Sequence, residues 1–172
     1  LSPCHDWGEA PAPAAFYGRQ AEVALVTQWL GEDPGAQRAR LVTILGMGGM
    51  GKTALAVQAA HRVADQFEVV IWRSLLNART GARAGRYRDG YEEYGQLLRR
   101  VGASEHQSTL LLTSREQPEG VALLPRETGM VQVLRMTGLE AASGQTLLQL
   151  CGLAGDADNA ERIISHYSGN PL

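Results

Sequence analysis

Residues 40–54 read RLVTILGMGGMGKTA. Leu41 to Leu45 is a short apolar run carrying Val42, Thr43 and Ile44; a glycine cluster follows at once, and a helix-compatible pattern follows that. This order predicts a strand, a glycine-rich loop and a helix. Gly46, Gly51, Lys52 and Thr53 fit G-x-x-x-x-G-K-[ST] without a mismatch, and the flanking strand and helix supply the context that a bare pattern needs. Phosphate oxygens must reach successive backbone N–H groups, which calls for a loop free of Cβ atoms and tolerant of positive φ, hence Gly46, Gly48, Gly49 and Gly51. The start of the following helix adds partial positive charge. Lys52 supplies a mobile cation for the β- and γ-phosphates, and the Thr53 hydroxyl is placed to coordinate Mg²⁺. The candidate binding stretch is therefore Gly46, Met47, Gly48, Gly49, Met50, Gly51, Lys52, Thr53 and Ala54, with Thr53 as metal ligand. A glycine-rich turn without a ligand needs neither the Lys-Thr pair nor the preceding strand.

A chain of 172 residues can bury a substantial core and is expected to form one main domain with the start of a second. The net charge of −2 leaves no broad electrostatic footprint for nucleic acid or anionic membrane. No apolar run approaches the ~20 residues of a membrane span, and the N-terminus lacks a basic-then-apolar pattern, so the sequence reads as cytoplasmic. Cys4 and Cys151 have no metal-type spacing. They read as buried or incidental thiols, with a single disulfide as the alternative. The four His residues are dispersed and suggest neither a metal site nor a triad. Arg79, Arg83, Arg86 and Arg88 read as a solvated loop.

Residues 1–15, with three Pro, read as an extended segment without a core pattern, in which Trp7 is expected to dock onto the domain. In 20–30, Val23, Val26, Trp29 and Leu30 fall on one helical face. Residues 53–66 continue as a helix, and 67–72 form a strand whose run Val69, Val70 and Ile71 is of the kind expected where both faces are covered. Residues 86–101 read as an aromatic-rich amphipathic helix, 109–113 and 131–136 as strands, and 140–150 and 157–167 as helices. Strands alternating with helices imply parallel crossovers, hence an α/β fold with a covered sheet.

With the phosphate loop, the strand ending LLLTSR and the terminal GNPL in this order, the chain resembles the NB-ARC family of signal-transduction ATPases with numerous domains (STAND). The DWGEAP and FYGR segments are similar to bacterial members that carry WD-repeat arrays downstream. The resemblance implies a P-loop NTPase fold, a parallel sheet flanked by helices, in 16–137 and the start of a small helical domain in 138–172. It implies that Phe16, Tyr17, Gly18 and Arg19 lie against adenine, that Arg115 senses the terminal phosphate and acts with Lys52 in catalysis, and that Pro171 closes on the base. Independently of the family, Arg115 stands just beyond the carboxyl end of an apolar strand, the edge of an open α/β sheet where ligands bind. A guanidinium there can make charge-assisted contacts to phosphate.

One departure stands against these matches. The family needs an apolar strand ending in Asp, whose carboxylates hold Mg²⁺ through water, and no such strand occurs between Trp72 and Thr109. The family's pattern is expected to place it beside the phosphate-loop strand. Its loss would leave the backbone groups of its neighbours unpaired. A segment of several tens of residues is therefore expected to be missing near 77–80, with a break in Cα spacing between 77 and 81 and an empty lane between the Trp72 strand and the phosphate-loop strand; direct pairing of those two strands would instead mark a genuine deletion. If the deletion is genuine, hydrolysis is lost and nucleotide binding remains.

The function these observations imply is an ADP- or ATP-dependent molecular switch with Mg²⁺, slow hydrolysis in the intact protein, and self-association in a longer signalling or defence protein. A binding-only scaffold and a small-molecule kinase are the alternatives. A kinase requires an acceptor site with its own acid or base, and no candidate for one is present.

Overall fold

The computed structural model describes residues 3–13, 17–31, 38–74, 93–125, 128–153 and 157–171. The elements run β1 (Cys4–Asp6), α1 (Gln20–Leu30), β2 (Leu41–Leu45), α2 (Lys52–Val63) with a 3₁₀ turn at Ala64–Gln66, β3 (Val69–Ile71), α3 (Glu93–Ala103), β4 (Leu110–Ser114), α4 (Glu119–Ala122), β5 (Val131–Arg135), α5 (Ala141–Leu150) and α6 (Ala157–His166).

All five residues of β2 are buried, as an apolar run between covered faces should be. It pairs in parallel with β4 on one edge, Leu41 opposite Leu110 through Leu45 opposite Ser114. On the other edge it pairs in parallel with β5, from Leu41 opposite Val131 to Leu45 opposite Arg135. One face is covered by α1 and α2, where Val23, Val26, Leu30, Leu55, Ala56, Ala59 and Val63 close over Val42 and Ile44. The opposite face buries Leu41 against Leu98 of α3, Val121 and Leu124 from the α4 region, and Val131 of β5. Fully burying a side chain such as Leu41, Ile44 or Leu55 contributes about 1.5–3 kcal/mol each. Helices on both sides of parallel strands make this the α/β, P-loop type of fold that the sequence predicts.

Within the segment expected to be extended, Cys4–Asp6 pair in parallel with Val69–Ile71 as a separate two-stranded sheet. A strand at an edge needs only backbone partners and extended φ/ψ, so no apolar alternation marks it. Trp7 docks as expected, stacking on His61 of α2 with ring centroids 3.7 Å apart and planes at 11°. Next, β3 is not covered on both faces: Val69 is 56% exposed and Ile71 63% exposed. An apolar run records what a strand could bury, whereas coverage depends on what packs against it. Finally, the phosphate-loop strand has no edge left for an acidic neighbour, because β4 and β5 occupy both.

The expected empty lane beside the phosphate-loop strand is therefore not found. β3 pairs with β1 and not with the three-stranded sheet, and among the described residues the outer edge of β4 has no strand beside it. Leu110, Leu111 and Leu112 of β4 are only half-buried, unlike the whole of β2. The expected break between 77 and 81, the basic run at 79–88 and the first part of the aromatic helix lie outside the described residues. Cys4 and Cys151 are both exposed free thiols, which overturns burial and a disulfide alike.

The packing of α3 on α4 holds the face of β2 that carries Leu41. A Cβ at Gly120 would stand 2.6 Å from the Gly95 carbonyl oxygen, closer than side chain and backbone can approach. Gly120→Ala should therefore separate the two helices and destabilise the fold by about 1–3 kcal/mol, read as a lower midpoint in chemical denaturation.

Candidate functional site

The glycine cluster turns the chain from the buried end of β2 into α2. Gly49 at φ 83° and Gly51 at φ 81° occupy backbone conformations that side chains disfavour, and Gly51 is the N-cap of α2. Met50 is the loop's anchor: its side chain is 7% exposed and joins the core beneath α1 and α2. Met47, by contrast, is 67% exposed. The Gly46 N–H donates to the Ser114 carbonyl at 3.2 Å, tying the start of the loop to the end of β4. Thr53 lies exposed in the first turn of α2 with Ala54 half-buried behind it.

Two cations converge on this loop. The Lys52 ammonium donates to the Met47 carbonyl at 2.6 Å. Arg115 leaves the end of β4 and lies over Gly48, where a Cβ would be 3.5 Å from the guanidinium carbon. Desolvation lowers the Lys52 pKa below its ordinary value, and repulsion from Arg115 lowers it further. Among the described residues neither cation has a carboxylate partner within ion-pairing distance. A partly buried lysine and an exposed arginine over a glycine loop at a helix N-terminus are chemically suited to a polyanion.

The remaining predicted residues fall in two groups. Gly18 and Arg19 lie against the link between β5 and α5. A Cβ at Gly18 would stand 2.5 Å from the Ser143 Cβ. Arg19 is 4% exposed; its guanidinium donates to Glu22 at 2.8 Å and to the Thr137 carbonyl. Its charge thus goes to fastening the link. Tyr17 is 42% exposed, and Phe16 lies outside the described residues. Pro171 is half-buried and lines an apolar groove with Leu139, Leu147, Leu148, Ile164 and Tyr167. Its neighbour Asn170, not selected from the sequence, reaches the phosphate loop: its amide donates to the Gly48 carbonyl at 3.1 Å. Asn170 stands inside the quoted GNPL, so its position was visible; the partnership with a residue 122 positions away was not. Met136 and Thr137 act through position and backbone, which no sequence pattern marks.

The residues present fit a phosphate group, because Lys52 and Arg115 lie beside Met47 and Gly48 of a glycine loop that opens α2. For Mg²⁺ the chain offers the exposed Thr53 hydroxyl; among the described residues no group of three or more His, Cys, Asp or Glu could hold a metal by itself. No described helix is long and apolar enough to cross a membrane.

Comparison with known proteins matches residues 19–80 to the NB-ARC domain family. The match contains the whole phosphate loop and Arg19, while Arg115 and Pro171 lie beyond it. The chain is also similar to a WD repeat-containing protein of Nostoc sp., with 33% identity over 232 residues that take in 99% of this chain. The chain spans 18% of that relative's length. Because the alignment is 232 residues long and the chain has 172, the relative carries about 60 residues there with no counterpart here.

Removing the second cation should release part of the strain on the first. Arg115→Ala is expected to raise the Lys52 pKa, with desolvation still holding it below the ordinary lysine value, as followed by NMR titration of the side-chain Nζ.

Proposed function

We propose that the chain, whose residues 19–80 match the NB-ARC domain family, binds ADP or ATP at residues 46–54 and serves as the nucleotide-controlled switch of a longer bacterial protein. The observation that carries this reading is the convergence of Lys52 and Arg115 over the loop. Two like charges held together at the start of a helix are unfavourable until a polyanion lies between them. Phosphate exchanges the Met47 carbonyl for a charged acceptor at Lys52, and charge-assisted hydrogen bonds are roughly twice as strong as neutral ones. When bound, Mg²⁺ neutralises phosphate charge, with Thr53 as its ligand from this chain.

In this reading 16–137 is the nucleotide-binding unit and 138–172 the first part of a helical unit, with the nucleotide between them. Contacts of Gly18 with Ser143 and of Asn170 with Gly48 across the boundary support this reading. Adenine against residues 16–19 and Pro171, a cytoplasmic location and self-association of the longer protein belong to the same proposal. A ligand changes the relation of two units only through a differential contact, and the γ-phosphate at Arg115 is that contact.

A specific observation also favours a second reading, binding without turnover. Among the described residues no Asp-ending strand lies on the outer edge of β4, and about 60 residues of the Nostoc relative lack a counterpart here. We assign the missing acidic strand to the outer edge of β4. The chain as it stands is then a nucleotide binder that does not hydrolyse.

Isothermal titration with ADP and ATP tests this. Lys52→Ala should weaken both by at least about tenfold, the loss of one charge-assisted bond in a partly desolvated site. Equal affinity for parent and variant removes the proposal. Arg115→Ala should weaken ATP more than ADP, and equal losses would move Arg115 off the γ-phosphate. Phosphate release from ATP should stay at the uncatalysed level in the parent chain.

A further inference from the structure

The link between β5 and α5 is gripped from two sides. Arg19 donates to the Thr137 carbonyl, and two residues on, the Leu139 N–H donates to the Gly169 carbonyl at 2.8 Å. The approach is close: a Cβ at Gly138 would lie 1.8 Å from the Ser168 carbonyl oxygen, and one at Gly169 would lie 2.4 Å from the Leu139 oxygen. Gly169 is buried at φ 68°, and its N–H is taken by the Ile164 carbonyl at 2.7 Å. The turn after α6 is thus locked to the link by backbone contacts. This lock sets the position of the next residue, Asn170, whose amide nitrogen reaches the Gly48 carbonyl at 3.1 Å.

A peptide unit is planar and trans, so its C=O and the following N–H point in opposite directions. Holding the Gly48 carbonyl toward Asn170 therefore turns the Gly49 N–H away from Asn170. We propose that Asn170 is a positioning residue of the phosphate loop: its amide fixes the Gly48–Gly49 peptide, and through it the turn after α6 is mechanically coupled to the loop's ligand state. The phosphate part of this proposal rests on the nucleotide reading above. Asn suits the task because its amide donates while carrying no charge. An Asp of the same shape has no donor when ionised, and it sets a negative charge against the Gly48 oxygen.

Hydrogen exchange by mass spectrometry on the full chain, with and without ADP, compares the parent with Asn170→Ala and Asn170→Asp. Without nucleotide, both variants should exchange faster at residues 46–51 and 168–171, while β2 and α2 keep parental protection. ADP affinity should fall about fivefold in Asn170→Ala, the worth of one neutral hydrogen bond, and further in Asn170→Asp. ADP should slow exchange at 168–171 in the parent and fail to do so in either variant. Parental exchange at 46–51 in both variants overturns the proposal, whatever their affinity for ADP. If the parent itself binds no ADP, the nucleotide reading falls, and exchange at 46–51 without nucleotide still decides what Asn170 does.

Discussion

Strand β2 is hydrogen-bonded along both edges and buried on both faces, and the site is placed by reference to it. A five-residue strand so enclosed cannot shift or tilt without opening backbone hydrogen bonds and exposing Val42 or Ile44 at the same time. Its end therefore delivers Gly46 to a fixed point, and Met50 pins the far side of the loop into the same core. What lies between, Met47 to Gly49, is not part of the buried core. Rigid support under a short stretch of open peptide is the mechanical requirement for holding phosphate by N–H groups.

Charge at this point is organised by the same pairing. The parallel register of β2 with β4 puts Ser114 beside Leu45, so Arg115 necessarily leaves β4 next to the loop. Pairing with β5 puts Arg135 beside Leu45 on the other edge, and the chain continues through Met136 and Thr137 past the loop's start. A Cβ at Gly46 would come within 3.2 Å of Met136. The three parallel strands thus converge their carboxyl ends on one spot. One brings the glycines, one a cation, and one the link to the helical pair.

The sheet is less complete on the other side. β3 and β1 stand as a pair of their own, with Val69 and Ile71 largely exposed, and β4 is half-buried where β2 is sealed. Exposed apolar strand faces of this kind belong beside further structure. The Nostoc relative, with about 60 residues here unmatched, is consistent with that further structure being a segment of chain.

Local chemistry was legible from the sequence wherever it is carried by residue type over a short span. The phosphate loop, α1 with Val23, Val26 and Leu30 inward, the strands at 41–45, 110–114 and 131–135, and the docking of Trp7 all follow from pattern and composition. Tertiary structure alone decided which strands are neighbours. It gave both edges of β2 to β4 and β5, left the outer edge of β4 without a strand among the described residues, and made a strand of Cys4–Asp6. Backbone hydrogen bonds choose partners by geometry and not by side chain, so the pairing is not written in any one segment. For the same reason Arg19 was visible as a residue but not as the fastening of Thr137, and Asn170 was visible in a turn but not as the partner of Gly48. The acceptors in both cases are carbonyl oxygens, which every residue carries and only the folded chain distinguishes.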